Sequence, residues 1–372
     1  MLIHLVRFLK DLSIPNLYLK YVHHLSRYHV LANNPTEGAL ALKLHANTLN
    51  WSTSVDPTAA HDMIPLLPPL QEGEHHLRGW ETEFERKEGL YLTILELLEQ
   101  GKAWEHAIVL CRELSHQYEL THDYPRLAAC LRKMARLYEN MAMVERFPAS
   151  FYRVGFFGAG WPSGLKGREF IYRGDEWERI GPFCERILEA YRGATLIRTT
   201  GDLRNDRRVQ PRSIQVVSVT PVVRSTTLPM PLVPSAAPTR QYYRTNEVQV
   251  FTFSRPLRKM KAAKKPARPE DAAVAEFLDL WTEKVFLITQ DSFPHLDRRS
   301  PVVRRVKYTL SPIENAIVAI RTKTEQLTGF QRHTAPAVQA GQEAQVRQFT
   351  MALNGSVDAA VNGGIPMYRR AF

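Results

Sequence analysis

Cysteine is scarce in this sequence. Cys111, Cys130 and Cys184 are its three cysteines in 372 residues. Their odd number and lack of metal-ligand spacing argue against a disulfide framework or a cysteine-pair zinc site. Long apolar runs are missing too, since no stretch approaches the roughly 18 consecutive apolar residues of a membrane span. The apolar start "MLIHLVRFLKDLSIPNLYLKYVHHL" is broken by Arg7, Lys10 and Asp11. It lacks the uninterrupted apolar core and small-residue cleavage site of a signal peptide. Reduced cysteines inside the cores of a cytoplasmic protein are expected.

Local signatures of catalysis are absent as well. There is no G-x-x-x-x-G-K-[ST] phosphate loop, no G-x-G-x-x-G after a strand, and no H-E-x-x-H. The pairs His23-His24 and His75-His76 do not have the spacing of ligands for one metal. "GLKGREF" has the look of a glycine loop, but no Ser or Thr follows Lys166. No serine sits in a G-x-S-x-G elbow. A protein that works on a macromolecular partner, with no cofactor and no metal, fits these absences better than a conventional enzyme.

What is abundant is positive charge. The formal net charge is +11, which favours anionic partners without choosing among nucleic acid, membrane and acidic protein. Its densest source is "RPLRKMKAAKKPAR" (255–268), seven basic residues without an acid. No aromatic stacking platform accompanies it, so nucleic acid is not expected. Lys259, Lys261, Lys264 and Lys265 are candidates for contact with an anionic membrane or an acidic partner, against the plainer reading of a solvated surface loop.

The chain changes grammar twice. Up to about residue 149 it reads as successive helices joined by short polar turns, in the manner of a helical repeat, without a clean tetratricopeptide signature. In "PTEGALALKLHANTLNW", Pro35 suits a first helical turn, and Ala39, Leu42, Ala46 and Leu49 recur at helical spacing. Trp51 and Trp104 read as packing between helices. Leu127, Leu131 and Met134 are expected to face neighbouring helices or a second copy. From 150 to 268 the pattern becomes short and aromatic: "ASFYRVGFFGAG", "REFIYRG", "RSIQVVSVTPVV" and "NEVQVFTFSRP" read as strands, with "DEWERIGPFCERILEAYR" as a helix packed on them. "RTTGDLRNDRRVQPR" and "STTLPMPLVPSAAPTR" read as flexible surface insertions.

After 269 helices are expected again. "EDAAVAEFLDLWTEKVFLITQDSFP" opens as a helix, with Phe286–Thr289 as its end or as a strand-like tail. "VVRRVKYTL" reads as a strand or extended link. "SPIENAIVAIRTKTEQLTGFQRH" starts with Ser311 as N-cap, Pro312 at the first position and Glu314 three residues after the cap. The fold class expected is mainly α with a β-rich middle: a helical-repeat lobe, an antiparallel β-sheet lobe and a helical-bundle lobe. In the last segment, "DAAVNGGIPMYRR" (358–370) interrupts a helical pattern with two adjacent glycines, which weaken a helix interior. The segment stops at Phe372, so its last helix is expected to be incomplete.

Several pieces resemble the DHR2 domain of the DOCK family of Rho-type guanine-nucleotide exchange factors. "DYPRLAACLRKMARLYENM", "FYRVGFFGAGWPSGLKGREFIYRG", "YYRTNEVQVFTFSRPLRK", "LSPIENAI" and "LNGSVDAAVNGGIPMYRRAF" follow in the family's order. The resemblance implies three lobes, here 1–149, 150–268 and 269–372. The first mediates dimerisation, and the other two together hold the GTPase. It implies GTPase contacts from Leu310, Ser311, Pro312 and Asn315. It also implies an insert in the catalytic helix, formed by Val361, Asn362, Gly363 and Gly364, that pushes a valine toward the magnesium position of the bound GTPase. Val361 matches that position and Val357 is the alternative. The partner implied is a Rho-family small GTPase, Rac-like in preference to Cdc42-like. A homodimer is implied as well; a cytoplasmic location, with recruitment to membrane through the basic loop, is the expectation from composition. A non-catalytic GTPase-binding scaffold is the competing reading.

Overall fold

The computed structural model describes residues 2–53, 82–144, 146, 149–176, 178–201, 203, 210–222, 242–258 and 280–318, with five further positions up to 328. They fall into two compact units. One draws on residues 1–250 with 289–303, the other on 251–288 and the residues from 304 onward.

The first unit opens with α1 (Leu2–Asp11), α2 (Pro15–Leu31), α3 (Pro35–Ala46), α4 (Glu83–Gln100), α5 (Trp104–Leu120) and α6 (Tyr124–Met143). Pro15, Pro35 and Pro125 lie in the first turns of their helices, where the missing N–H costs nothing. Thr82 and Glu85 form a capping box on α4: the threonine N–H donates to the carboxylate at 2.9 Å and the Glu85 N–H donates to the hydroxyl at 3.2 Å. Four of the turns repeat one geometry. Ser13, Asn33, Lys102 and His122 adopt positive φ near 55°. The next N–H in each turn reaches back to a carbonyl five residues earlier, Ile14 to Leu9, Asn34 to His29, Ala103 to Leu98 and Asp123 to Tyr118. This is the Schellman closure of a helix end, and its recurrence makes the segment a helical repeat.

The helices enclose two apolar clusters. Val6, Leu9, Tyr18, Val22 and Leu25 pack α1 on α2. A larger cluster joins α3 to α6 through Ala39, Leu42, Ala46, Ile94, Leu95, Leu98, Leu110, Leu114 and Leu137. Trp51 and Trp104 pack between helices, as their setting predicts. Trp51 stands edge-on to Phe84 and Tyr91 and donates to Glu113 at 2.8 Å. Trp104 is buried under the guanidinium of Arg146 at 4.9 Å.

Among the described residues seven strands form one sheet: β1 (Ala149–Phe157), β2 (Glu169–Glu176), β3 (Thr195–Ile197), β4 (Ser213–Pro221), β5 (Val248–Arg258), β6 (Leu280–Phe293) and β7 (Arg299–Leu310). Their order is β1-β2-β7-β6-β5-β4-β3, and β1 also pairs with β4, which closes the sheet into a barrel. The pairings β1–β2, β1–β4 and β2–β7 are antiparallel. β3 runs parallel to β4, one parallel pair within the antiparallel sheet expected. Residues 198–212 separate the two strands, a connection long enough to bring the chain back in the same direction. Part of that connection is tied to the barrel, since Gln215 Nε2 donates to the carbonyls of Thr199 at 2.5 Å and Gly201 at 2.8 Å.

Alternation along β1 assigns the two faces. Tyr152, Val154 and Phe156 meet Phe183 and Ile187 of α7 (Ile180–Ala190), with Trp161 and Phe170 alongside. The intervening Arg153 is wholly buried and donates to Glu169 at 3.4 Å and to Gln215. An arginine in a barrel is tolerable only with such partners.

β6 and β7 follow residue 268, where the β segment was expected to close. Of the two readings for Phe286–Thr289, the strand holds, and the strand starts as early as Leu280. Val285, Phe286, Ile288 and Thr289 favour a pleated, half-buried surface. Their pairing within a closed sheet outweighs the helix-compatible residues before them. "VVRRVKYTL" is likewise strand, within β7.

Helices and barrel are joined in this unit by two buried ion pairs. Glu37 of α3, 2% exposed, accepts from Arg173 of β2. Glu105 of α5 accepts from both terminal nitrogens of Arg146, at 2.7 and 2.5 Å. Burial pushes the Glu105 carboxyl up, but the hydrogen bonds and charge of Arg146 outweigh it and hold the group below its ordinary range. Removing one partner strands a buried charge, at a typical cost of 3–5 kcal/mol. Arg173→Ala should therefore lower the unfolding free energy by about 3 kcal/mol in urea titration. A change within about 0.5 kcal/mol, as for an ordinary surface site, would show that the pair does not secure Glu37.

Candidate functional site

The end of β7 delivers the chain into a helix at 312–318. Leu310 is half-buried at the strand end, and Pro312 is buried at the first helical position. Ser311 caps that helix. Its N–H and its hydroxyl both donate to Glu314 Oε2 at 2.8 Å, and the Glu314 N–H returns to the hydroxyl at 3.4 Å. The Asn315 N–H donates to the Ser311 carbonyl at 2.9 Å. The expected cap and the four expected contact residues therefore form one strand-to-helix corner. The same helix leaves Ile313, Ile317 and Ile320 exposed at 46%, 45% and 49%, a row spaced four and three residues apart. That spacing puts them on one face.

The strands of the second unit supply a polar and aromatic lattice. Arg255 of β5 pairs with Glu283 of β6. Phe286 meets Tyr308 edge-on at 5.7 Å, and the Arg305 guanidinium lies 5.9 Å from the Phe253 ring. Lys284 holds its ammonium 5.5 Å over Phe286, and burial lowers its pKa. Phe253 and Phe286 are buried, so these contacts hold the strands together.

In the first unit, a cleft of about 40 Å³ is lined by Arg146, Arg173, Glu176, Arg244, Asn246 and Phe293. It has room for a few waters and none for a nucleotide, whose pockets run to hundreds of Å³. Among the described residues no group of three or more His, Cys, Asp or Glu side chains could hold a metal. No described helix is long and apolar enough to cross a membrane.

The remaining sequence candidates lie outside the described residues: Val357, Val361, Asn362, Gly363 and Gly364, and the lysines at 259, 261, 264 and 265. On α6 the structure separates residues that the sequence reading took together. Leu127 and Met134 pack inward on the helical core, whereas Leu131 is 44% exposed. The sequence reading missed its companions: Tyr124, Ala128, Ala135, Tyr138 and Ala142 are exposed with it at alternating spacings of four and three. The signal was present as a second apolar stripe on a helix whose buried residues are Cys130 and Leu137.

The Ser311 corner carries a pH dependence. Hydrogen bonds from the Ser311 backbone and hydroxyl hold the Glu314 carboxyl below its ordinary range. A depressed carboxyl stabilises the cap above its unfolded pKa, and that stabilisation is lost as pH falls through the folded pKa. Protection of the Glu314 amide from hydrogen exchange should hold at neutral pH and fall once the pH drops below the usual carboxylate range. Ser311→Ala should remove that fall; an unchanged profile in the variant would place the dependence elsewhere.

Comparison with known proteins matches the description "DHR-2, Lobe A" to residues 1–143 and "DHR-2, Lobe B" to residues 210–292. Over the whole chain, identity is 32% to Dedicator of cytokinesis protein 4 and 33% to Dedicator of cytokinesis protein 3, both of Homo sapiens. It is 25% to DOCK-like protein 1 of Saccharomyces cerevisiae, over 99% of the chain. The chain spans about a sixth of the length of these relatives, 17% of the two human proteins and 18% of the yeast one. With the two lobe descriptions in order, alignment to the relatives across the whole chain, and helices followed by a barrel, the chain belongs to the DHR-2 domain family.

Proposed function

We propose that this chain is a guanine-nucleotide exchange factor that promotes GDP release from a Rho-family small GTPase, Rac-like in preference to Cdc42-like. Family membership carries the reading: both lobe descriptions match in order, and alignment to the Dedicator of cytokinesis proteins runs through the segment that holds the insert. In the proposal the residues of 150–268 and 269–372 together hold the GTPase, with Leu310, Ser311, Pro312 and Asn315 among the contacts. Val361, beside Asn362, Gly363 and Gly364, is the side chain aimed at the magnesium position, with Val357 as the alternative.

The physics needs no covalent step. GDP is held largely by its phosphate contacts and by a hard Mg²⁺ that bridges phosphate and protein oxygens. An apolar side chain at that position excludes the ion and offers no ligand in its place. Uncompensated diphosphate charge then weakens nucleotide binding, and the exchange factor stabilises the nucleotide-free GTPase. Glycines at 363 and 364 permit backbone shapes that larger residues resist.

Release of a fluorescent GDP analogue from Rac-like and Cdc42-like proteins tests this reading. The chain should accelerate the Rac-like protein first. Val361→Ala should slow release at least about tenfold, or 1.4 kcal/mol of barrier, while retaining the nucleotide-free GTPase. Added Mg²⁺ should inhibit the variant more than the parent. If Val357→Ala carries the defect instead, the alternative valine is the sensor. Parental rates in both variants would defeat the magnesium mechanism, and no acceleration of either GTPase would leave the scaffold reading. On anionic vesicles, neutralising Lys259, Lys261, Lys264 and Lys265 should slow exchange that is unaffected in solution, each lysine being worth about 1 kcal/mol near such a surface. Equal rates on vesicles would remove that loop as the membrane contact.

A homodimer is part of the same proposal, with α6 as its contact. The exposed row Tyr124, Ala128, Leu131, Ala135, Tyr138 and Ala142 alternates large and small side chains at the spacing by which two helices interdigitate. Light scattering over a concentration series should show a dimer in the micromolar range, and Leu131→Asp should weaken self-association at least about tenfold, 1.4 kcal/mol. A monomer at every concentration, or a dimer indifferent to the substitution, would remove this face from the proposal.

A further inference from the structure

Two thiols meet between α5 and α6. Cys111 and Cys130 lie on these consecutive helices, in one apolar cluster, and both are free. Cys130 Sγ donates to the Cys111 carbonyl at 3.3 Å, which sets its sulfur against Cys111. Cys111 is fully enclosed, whereas Cys130 sits 8% exposed at the rim. Lys133, one turn beyond Cys130, brings positive charge to both sulfurs and is held by Glu99 of α4 at 2.8 Å.

This arrangement divides the labour between the thiols. The neighbouring Cys111 draws the Cys130 thiol below its ordinary pKa, with Lys133 assisting. The nearness of Cys130, together with burial, pushes Cys111 up. A sulfur at the rim of the core with a second thiol packed against it is the arrangement of an oxidisable cysteine with its resolving partner. Cys184 contrasts with this. It is half-buried, and burial raises its pKa.

We propose that Cys111 and Cys130 form a reversible disulfide, stapling α5 to α6, when the protein meets a peroxide-class oxidant. The Cys130 thiolate attacks one oxygen of hydrogen peroxide. The O–O bond breaks, and the departing hydroxide takes up a proton to become water, leaving Cys130 as the sulfenic acid. The Cys111 sulfur then attacks the sulfenic sulfur. The S–O bond breaks, and the hydroxyl leaves with the Cys111 proton as a second water. Two thiols lose two electrons, and one peroxide is reduced to two waters. A dithiol reductant reverses the staple by two exchange steps and is itself oxidised to a disulfide.

The test treats the full chain with hydrogen peroxide, alkylates it after denaturation, and maps the peptides by mass spectrometry. The expected product is a linked pair of peptides containing Cys111 and Cys130, about 2 Da lighter than the two reduced peptides together. Both cysteines should escape alkylation while Cys184 remains alkylated, and dithiothreitol should restore all three. In Cys111→Ala, Cys130 should lack its resolving partner and advance to the sulfinic acid, a gain of about 32 Da. Alkylation of Cys111 and Cys130 at the untreated level, links that involve Cys184 or a second chain, or sulfinic acid at Cys130 in the unsubstituted protein would each overturn the proposal. Since the decisive map is of the unsubstituted chain, a variant that fails to fold does not blunt the test.

Discussion

Two buried carboxylates fix the relation between helices and barrel in the first unit. Glu37 and Glu105 come from the helical repeat, and each would be strongly unfavourable at its depth without a cation. Arg173 from β2 and Arg146, just ahead of β1, supply the two cations. The Arg146 guanidinium also lies over Trp104 and donates to the Lys102 carbonyl at 3.3 Å, tying the pair to an α4–α5 turn. Apolar packing alone would let helices and sheet slide over one another. Charge pairs with fixed hydrogen-bond directions allow one register, and this is the service that buried ion pairs render best.

The barrel extends that logic inward. Closure through β1–β4 leaves one face of β1 under α7 and turns the other face inward. Arg153 occupies that interior with Glu169 and Gln215, and Gln215 in turn anchors the connection after β3. Polar groups that each satisfy another make the interior specific as well as compact. Such a base suits a domain whose proposed task is to hold a partner's loops in one geometry, because only a surface that does not yield can bias the partner's nucleotide site.

Legibility in the sequence followed the range of the interactions. Local signals were read directly: Pro35 opening α3, Ser311 with Glu314 capping the helix after β7, the aromatic alternation of β1 and β2. Each depends on residues within a turn or a few positions of one another. The Leu280–Thr289 segment failed this way of reading because its neighbours in the sheet, β5 and β7, lie on either side of it in sequence. Its helix-compatible residues are outvoted by ladder bonds that no local window contains. The same limit applied on α6, where two apolar stripes are equally visible in the sequence and only packing assigns Leu127 and Met134 inward and Leu131 outward.

By itself the sequence determined the passage from helices to a β-rich segment, the absence of local enzymatic motifs, and the ordered family segments that end in Val361, Asn362, Gly363 and Gly364. Those are properties of residue type, short spacing and order along the chain. Tertiary structure alone decided that the sheet closes, that β3 joins it in parallel, that Glu37 meets Arg173 across 136 positions, and that Cys130 lies against Cys111. Each is a meeting of residues remote in sequence or shared between two elements. It is favourable only once many such contacts form together and repay the chain entropy lost in bringing them into register.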